Sequence, residues 1–116
     1  MKIKEIIHIT QATIYNCPDF EYEVQYGFCS DLMSDVLLNM NEYGDIALLI
    51  SGLVNTQLIR TAEVLDLKAI LVVRGKKPSI ELINLAKENG IILLGTNMSA
   101  YKVCGELYKN NLAALF

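Results

Sequence analysis

Histidine occurs once in this chain, at His8, so no histidine-based triad and no two-histidine metal site can be built within one copy of it. Proline occurs twice, at Pro18 and Pro78, and no linker, low-complexity tract or repeat divides the sequence. Cysteine is scarce and odd in number: Cys17, Cys29 and Cys104 are widely spaced, with no C-x-x-C pair. That pattern offers neither a disulfide framework nor a local zinc site, and it fits a reducing cytoplasm, the expected compartment. The longest apolar run, Ile46 to Val54, is interrupted by Ser51 and Gly52 and is far shorter than the ~20 residues of a bilayer span. Met1-Lys-Ile-Lys-Glu has no signal-peptide character. No G-x-x-x-x-G-K-[ST] stands anywhere, although Gly75-Lys76-Lys77 superficially resembles part of one, and no G-x-G-x-x-G follows a strand. These absences argue against a Walker-type kinase and a standard dinucleotide site.

What is present is apolar. Over 116 residues, 53% are hydrophobic and mean hydropathy is +0.33, more than so small an interior absorbs. A homo-oligomer interface, most simply a dimer, is the economical outlet, and the apolar tail Leu112–Phe116 is a candidate part of it. Net charge is −3 and unevenly spread. Residues 1–58 hold two Lys and eight Asp or Glu, hence −6; residues 59–116 hold eight Lys or Arg and five Asp or Glu, hence +3. Neither half carries the basic stripe of a duplex-DNA binder. Partners are therefore expected among proteins and small anions, with no DNA and no membrane.

Periodicity predicts one α/β domain over 1–116. Lys2–Ile9 reads as a helix, with Ile3, Ile6 and Ile7 on one face. Ala12–Cys17 and Tyr22–Cys29 read as strands, the second alternating Tyr22, Val24, Tyr26 and Phe28 against polar or small residues. Ser30 is placed as the cap of a helix to about Asn41, and Asn55 as the cap of one to Leu65. Ser79–Asn89, closed by Gly90, and Ser99 to about Lys109 complete the helices. Ile46–Ile50, Lys68–Val73 and Ile91–Leu94 are continuously apolar, as strands covered on both faces are. Three strand–helix units of this kind imply a mainly parallel, three-layer sheet with right-handed crossovers. The N-terminal strands are expected to form a ribbon or extension on its edge.

Ligands of parallel sheets bind where the strands end and helices begin. The sequence puts Ser30 and Asp31, then Ser51, Gly52 and Asn55, then Arg74, Gly75, Lys76 and Lys77, then Gly95, Thr96 and Asn97 on that rim. Such a set suits a small anionic metabolite or nucleotide; small polar residues are also what tight turns and caps require. Ser30 and Ser34, and likewise Asp31 and Asp35, are four apart and expected to stack on one helical face. Two carboxylates so placed repel, which calls for a cation, a helix N-terminus or a basic protein partner. A solvated helical cap is the commoner arrangement, so neither a metal nor a cofactor is expected. No catalytic constellation emerges, and an enzyme is not expected. Cys29 is the least implausible nucleophile, since a following helix N-terminus could lower its pKa, though a packed strand residue fits its apolar flanks better.

The segment Gly27-Phe-Cys-Ser-Asp-Leu-Met-Ser-Asp-Val36, Gly44-Asp45 before a buried strand, then Ala69-Ile-Leu-Val-Val-Arg-Gly75 and Pro78, resembles the DRTGG family and is similar to the N-terminal domain of HPr kinase/phosphorylase. Ser51-Gly52-Leu53-Val54 and Arg74-Gly75 stand where that family has glycine-rich turns. The resemblance implies an α/β regulatory or oligomerising unit of the sort that accompanies catalytic partners, among them phosphate acetyltransferases and CBS-containing pyrophosphatases. It carries over no kinase activity, since the domain bearing the phosphate loop is absent. The apolar excess yields a direct expectation: light scattering at tens of micromolar protein gives a mass above that of one chain, and a monomer mass removes the interface.

Overall fold

The computed structural model describes residues 1–116. In chain order the elements are α1 (Ile3–Thr10), β1 (Thr13–Asn16), β2 (Tyr26–Cys29), α2 (Met33–Asn39), β3 (Ala47–Ser51), α3 (Thr56–Leu65), β4 (Ala69–Val72), α4 (Ile80–Glu88), β5 (Ile92–Gly95), α5 (Ala100–Lys109) and β6 (Ala113–Ala114). One six-stranded sheet takes the order β1-β5-β4-β3-β2-β6. Strands β2 through β5 run parallel, β6 joins them parallel at one edge, and β1 closes the other edge antiparallel to β5.

The three crossovers from β2 to β5 all step in the same direction, and right-handed connections then deposit their helices on one face. Met33, Val36 and Met40 from the α2 region, Leu58, Ile59, Ala62 and Leu65 of α3, and Leu82 and Ala86 of α4 pack there on Leu49, Ile70, Val72 and Leu93. Alternate strand residues face the opposite way: Leu48, Ile50, Leu71 and Leu94 meet Ile3 and Ile6 of α1 and Val103 and Leu107 of α5. The result is the expected helix–sheet–helix sandwich. Every residue of β3, β4 and β5 is buried, which explains why their sequences lack alternation.

Three capping residues serve as the sequence indicates: Asn55, Ser79 and Ser99 accept from the backbone N–H of Leu58, Leu82 and Lys102 at 3.2–3.3 Å. The N-terminal strands do not pair as a ribbon; β1 instead extends the sheet at one edge. β1 and β2 lie at opposite ends of the sheet, because Asn16 continues along β5, where its amide donates to the Ile91 carbonyl, while Tyr26–Cys29 pairs with β3. Only the second half of the Tyr22–Cys29 segment is strand. Its first half is drawn towards α1: Val24 is buried, the Val24 N–H donates to the Met1 carbonyl, and the backbones of Glu23 and Lys2 pair in an isolated antiparallel bridge. Nearby, Lys2 and Lys4 both hold Glu21, at 2.9 and 2.7 Å, and keep its carboxyl down at about 2.

The apolar tail divides between core and surface, with Ala113, Ala114 and Phe116 exposed. Leu112 is core, β6 extends the sheet beside β2, and the Phe116 ring meets Phe28 edge-on at 6.2 Å. No helix is long and apolar enough to cross a membrane. Gly44 turns the chain into β3 against the end of α3, where a Cβ would drive into the Leu65 carbonyl oxygen. Gly44→Ala is expected to cost about 3 kcal/mol, the upper part of the usual overpacking range, because the obstacle is backbone and cannot rotate away. A urea midpoint unchanged in this variant would show that the turn relaxes freely.

Candidate functional site

The carboxyl ends of the parallel strands collect most of the residues anticipated on the rim, but divide them into two groups. Around β2 and β3, Asp31 Oδ1 accepts from the Gly52 N–H at 2.6 Å and from the Ser51 hydroxyl at 3.1 Å. Ser51 Oγ in turn accepts from the Leu53 N–H, and Ser30 Oγ accepts from the Leu32 N–H. This carboxylate is therefore a brace between two loops.

That brace corrects the reading of Ser30–Val36. α2 starts at Met33, so Asp31 is not helical and does not stack on Asp35, nor Ser30 on Ser34. A carboxylate gains more from two donors supplied by the β3 turn than from the first turn of a seven-residue helix. Ser30 makes a side-chain turn and leaves the helix without a side-chain cap. Asp35 has a partner of its own, the Asn39 amide, at 2.7 Å. Asn55 is occupied in capping α3. Cys29 has no helix N-terminus directly after it, and its thiol is pushed up, not down.

The second group forms an open cleft. Gly75, Lys76 and Lys77 from the β4–α4 loop face Gly95, Thr96 and Asn97 from the β5–α5 loop, around ≈ 230 Å³ of mostly polar space. Gln11, Thr13 and Tyr15 close it from the side of β1. A rule about strand carboxyl ends misses these three because they lie just before and within a strand that runs antiparallel, whose amino end is at this rim (Thr13 pairs with Gly95). Only the strand order would have revealed them.

Topology explains why the opening falls here. α4 leaves β4 towards one face and α5 leaves β5 towards the other, as their partition between the two cores shows. Adjacent parallel strands whose connections part to opposite faces create the crevice where α/β sheets bind ligands. The two loops are nonetheless tied at their base: the Arg74 N–H donates to the Met98 carbonyl at 2.7 Å and the Gly75 N–H to the Thr96 carbonyl at 2.9 Å. Arg74 and Gly75 both take left-handed backbone, φ 60° and 67°, to make that turn. Buried Thr96 fixes the floor, donating to the Thr10 carbonyl at 2.7 Å and accepting from the Met98 N–H at 3.2 Å. Tyr15 lies against Gly95 so closely that a Cβ there would stand 2.7 Å from its ring.

Charge in the cleft is one-sided. Lys76 and Lys77 line it, neither is in an ion pair, and no Asp or Glu is among the lining residues. Arg74 is exposed and stands outside the lining set. Nowhere do three histidine, cysteine or acidic side chains gather as a metal site would require.

No family model matches the chain, and no curated protein matches it in sequence. Among solved structures it is similar to the CBS and DRTGG domains of the regulatory region of a Clostridium perfringens pyrophosphatase, complexed with its activator diadenosine tetraphosphate. The TM-score is 0.73 at 18% identity, over 91% of this chain and 45% of that one. This chain thus spans less than half of that regulatory region. The likeness establishes a shared α/β fold and does not single out the DRTGG part.

The Asp31 brace is testable by itself. Asp31→Ala removes a charged acceptor from one N–H and one hydroxyl at a partly wet site, and should cost about 1–2 kcal/mol. Chemical denaturation should show the loss as a lower midpoint at unchanged slope; a wild-type midpoint would mean that water replaces the carboxylate without penalty.

Proposed function

We propose that this chain is a non-catalytic regulatory module of the DRTGG type that binds a small phosphorylated anion in the cleft between the β4–α4 and β5–α5 loops. The observation that carries the proposal is the coincidence of two independent features. The cleft sits where the connections part to opposite faces, and it is lined by two unpaired lysines with hydroxyl and amide groups and no carboxylate. Lysine ammoniums supply the charge for a phosphate, while Thr13, Gln11 and Asn97 supply neutral hydrogen bonds that orient it. The fold shared with a regulatory region crystallised with diadenosine tetraphosphate supports a nucleotide as the source of that phosphate.

Size narrows the ligand. At ≈ 230 Å³ the cleft lies below the roughly 300–1,000 Å³ of sites that enclose a whole drug-sized molecule. It takes a phosphate group or a small acid, and the remainder of a nucleotide lies across the exposed rim. The chain acts as a homo-oligomer in this reading. Support comes from Leu38, Val64 and Ile80, one on each helix of the α2–α3–α4 layer and each at least 75% exposed. The interaction-domain alternative, built on a shared Asp31–Asp35 face, has less to rest on, since the two carboxylates serve separate internal contacts.

A thermal-shift series with ATP, diadenosine tetraphosphate and inorganic phosphate tests the proposal. A ligand at a hundred times its Kd adds about 2.7 kcal/mol, a rise on the order of 10 °C for a domain of this size. Lys76→Ala/Lys77→Ala should reduce affinity at least roughly tenfold, and the wild-type affinity should fall with salt as screening grows. Binding that survives the double substitution unchanged would move the site elsewhere.

A further inference from the structure

Under α5, on the side of the sheet away from α2–α4, lies a second and very different cleft of ≈ 430 Å³, with an almost wholly apolar lining. Gly27 and Cys29 of β2 form part of one wall, and Tyr101, Cys104, Gly105 and Tyr108 of α5 form the other. Strand alternation sends Cys29 to the same face as Gly27, whose missing side chain is filled by Leu112 and Ile50 of that core, while Phe28 points into the opposite one. Cys104 follows buried Val103 on the sheet-facing side of α5. The two thiols thus face the same cleft where α5 packs on β2, although 75 positions separate them in sequence.

We propose that Cys29 and Cys104 form an oxidisable dithiol site, converted by a hydroperoxide into an intramolecular disulfide that fastens α5 to the end of β2. The site does not depend on the anion-binding cleft. A redox-responsive cysteine needs access, thiolate character and a second thiol beside it. Access comes from the cleft: Cys29 is exposed, Cys104 is half-buried, and nothing lies within 4 Å of where a Gly105 side chain would be, so α5 leaves the approach open. Thiolate character comes from the pair. The neighbouring Cys29 thiol draws Cys104 down to about 7 against the opposing effect of burial, while the nearby Cys104 and burial push Cys29 up. Cys17 lacks such a partner, and burial raises it.

The chemistry balances without any further component. The Cys104 thiolate attacks one oxygen of hydrogen peroxide; the O–O bond breaks, the sulfur becomes a sulfenic acid, and the departing hydroxide is protonated to water. The Cys29 sulfur then attacks that sulfenic sulfur, forming the S–S bond as the S–O bond breaks. The hydroxyl leaves with the Cys29 proton as a second water. Two thiols lose two electrons, and one peroxide gains them.

Peptide mapping of the wild-type protein after brief treatment with equimolar hydrogen peroxide tests the proposal without any substitution. The expected product is a single intramolecular link between the Cys29 and Cys104 peptides, with Cys17 still alkylatable and the link lost on adding dithiothreitol. In Cys29→Ser, checked for native circular dichroism, the reaction should halt at a Cys104 sulfenic acid that dimedone captures. In Cys104→Ser, Cys29 should stay reduced under the same exposure. Links that involve Cys17, links only between chains, or peroxide leaving both thiols free in the wild type would overturn it.

Discussion

Four parallel strands wound in one direction determine nearly everything else in this molecule. Because β2, β3, β4 and β5 follow each other without reversal, right-handed crossovers place α2, α3 and α4 on a single face. The other face is equally apolar, with Leu48, Ile50, Leu71 and Leu94 pointing into it, and those three crossovers leave it uncovered. Exposing those side chains would forfeit about 1.5–3 kcal/mol each. The chain meets this demand with its two remaining helices: α1 before the winding begins, and α5, whose connection from β5 back to β6 runs in the reverse direction and so falls on this face. Sending α5 to that face parts its connection from that of α4, which opens the polar cleft. It also lays Cys104 over β2. The cleft and the thiol pair are both consequences of covering one sheet face from outside the repeat.

How much of this was legible depended on range. Elements whose identity is local were read well: the buried runs of β3, β4 and β5, and the Asn55, Ser79 and Ser99 caps, announce themselves within a few residues. Asp31 leaves the helical position its local sequence suggests because its partners, Ser51 and Gly52, lie about twenty positions away and outcompete that role. The N-terminal ribbon failed for a related reason. Two adjacent strand-like segments suggest a pair, but β1 finds a free edge beside β5 and β2 finds one beside β3. Period-two alternation in Tyr22–Cys29 was real, yet Val24 is buried beneath α1 and only the last four residues join the sheet.

The candidate site shows the same division. Gly75, Lys76, Thr96 and Asn97 were found by a general rule about strand ends, which requires no knowledge of strand order. Asn55 and Asp35 satisfy that rule or its neighbourhood in sequence but make contacts within α3 and α2, and Ser34 lies in α2 and does not line the cleft. Gln11, Thr13 and Tyr15 were invisible to it because β1 is antiparallel. No residue-level pattern distinguishes a loop that merely turns from one that also faces a neighbouring loop; that distinction appears only when two connections diverge.

The segment from Gly95 to Leu112 reaches both clefts, which limits how an event at one can be felt at the other. Gly95, Thr96 and Asn97 line the polar cleft, while Tyr101, Cys104 and Tyr108 line the apolar one. Cys104 is about 6 Å along the axis from the first residue of α5, so the two sites are a single helical turn and a short loop apart. Energetic coupling requires that each event favour the same one of two arrangements of a shared element. For α5 the freedom available is limited: Val103 and Leu107 are fully packed, and the loop before it is pinned by Thr96 and by the Arg74 and Gly75 amides. A large displacement would empty part of the core at a cost of several kcal/mol. Any communication through α5 is therefore confined to a small shift of a rigid helix, felt at its exposed Tyr101 and Tyr108 face and not in the body of the sheet.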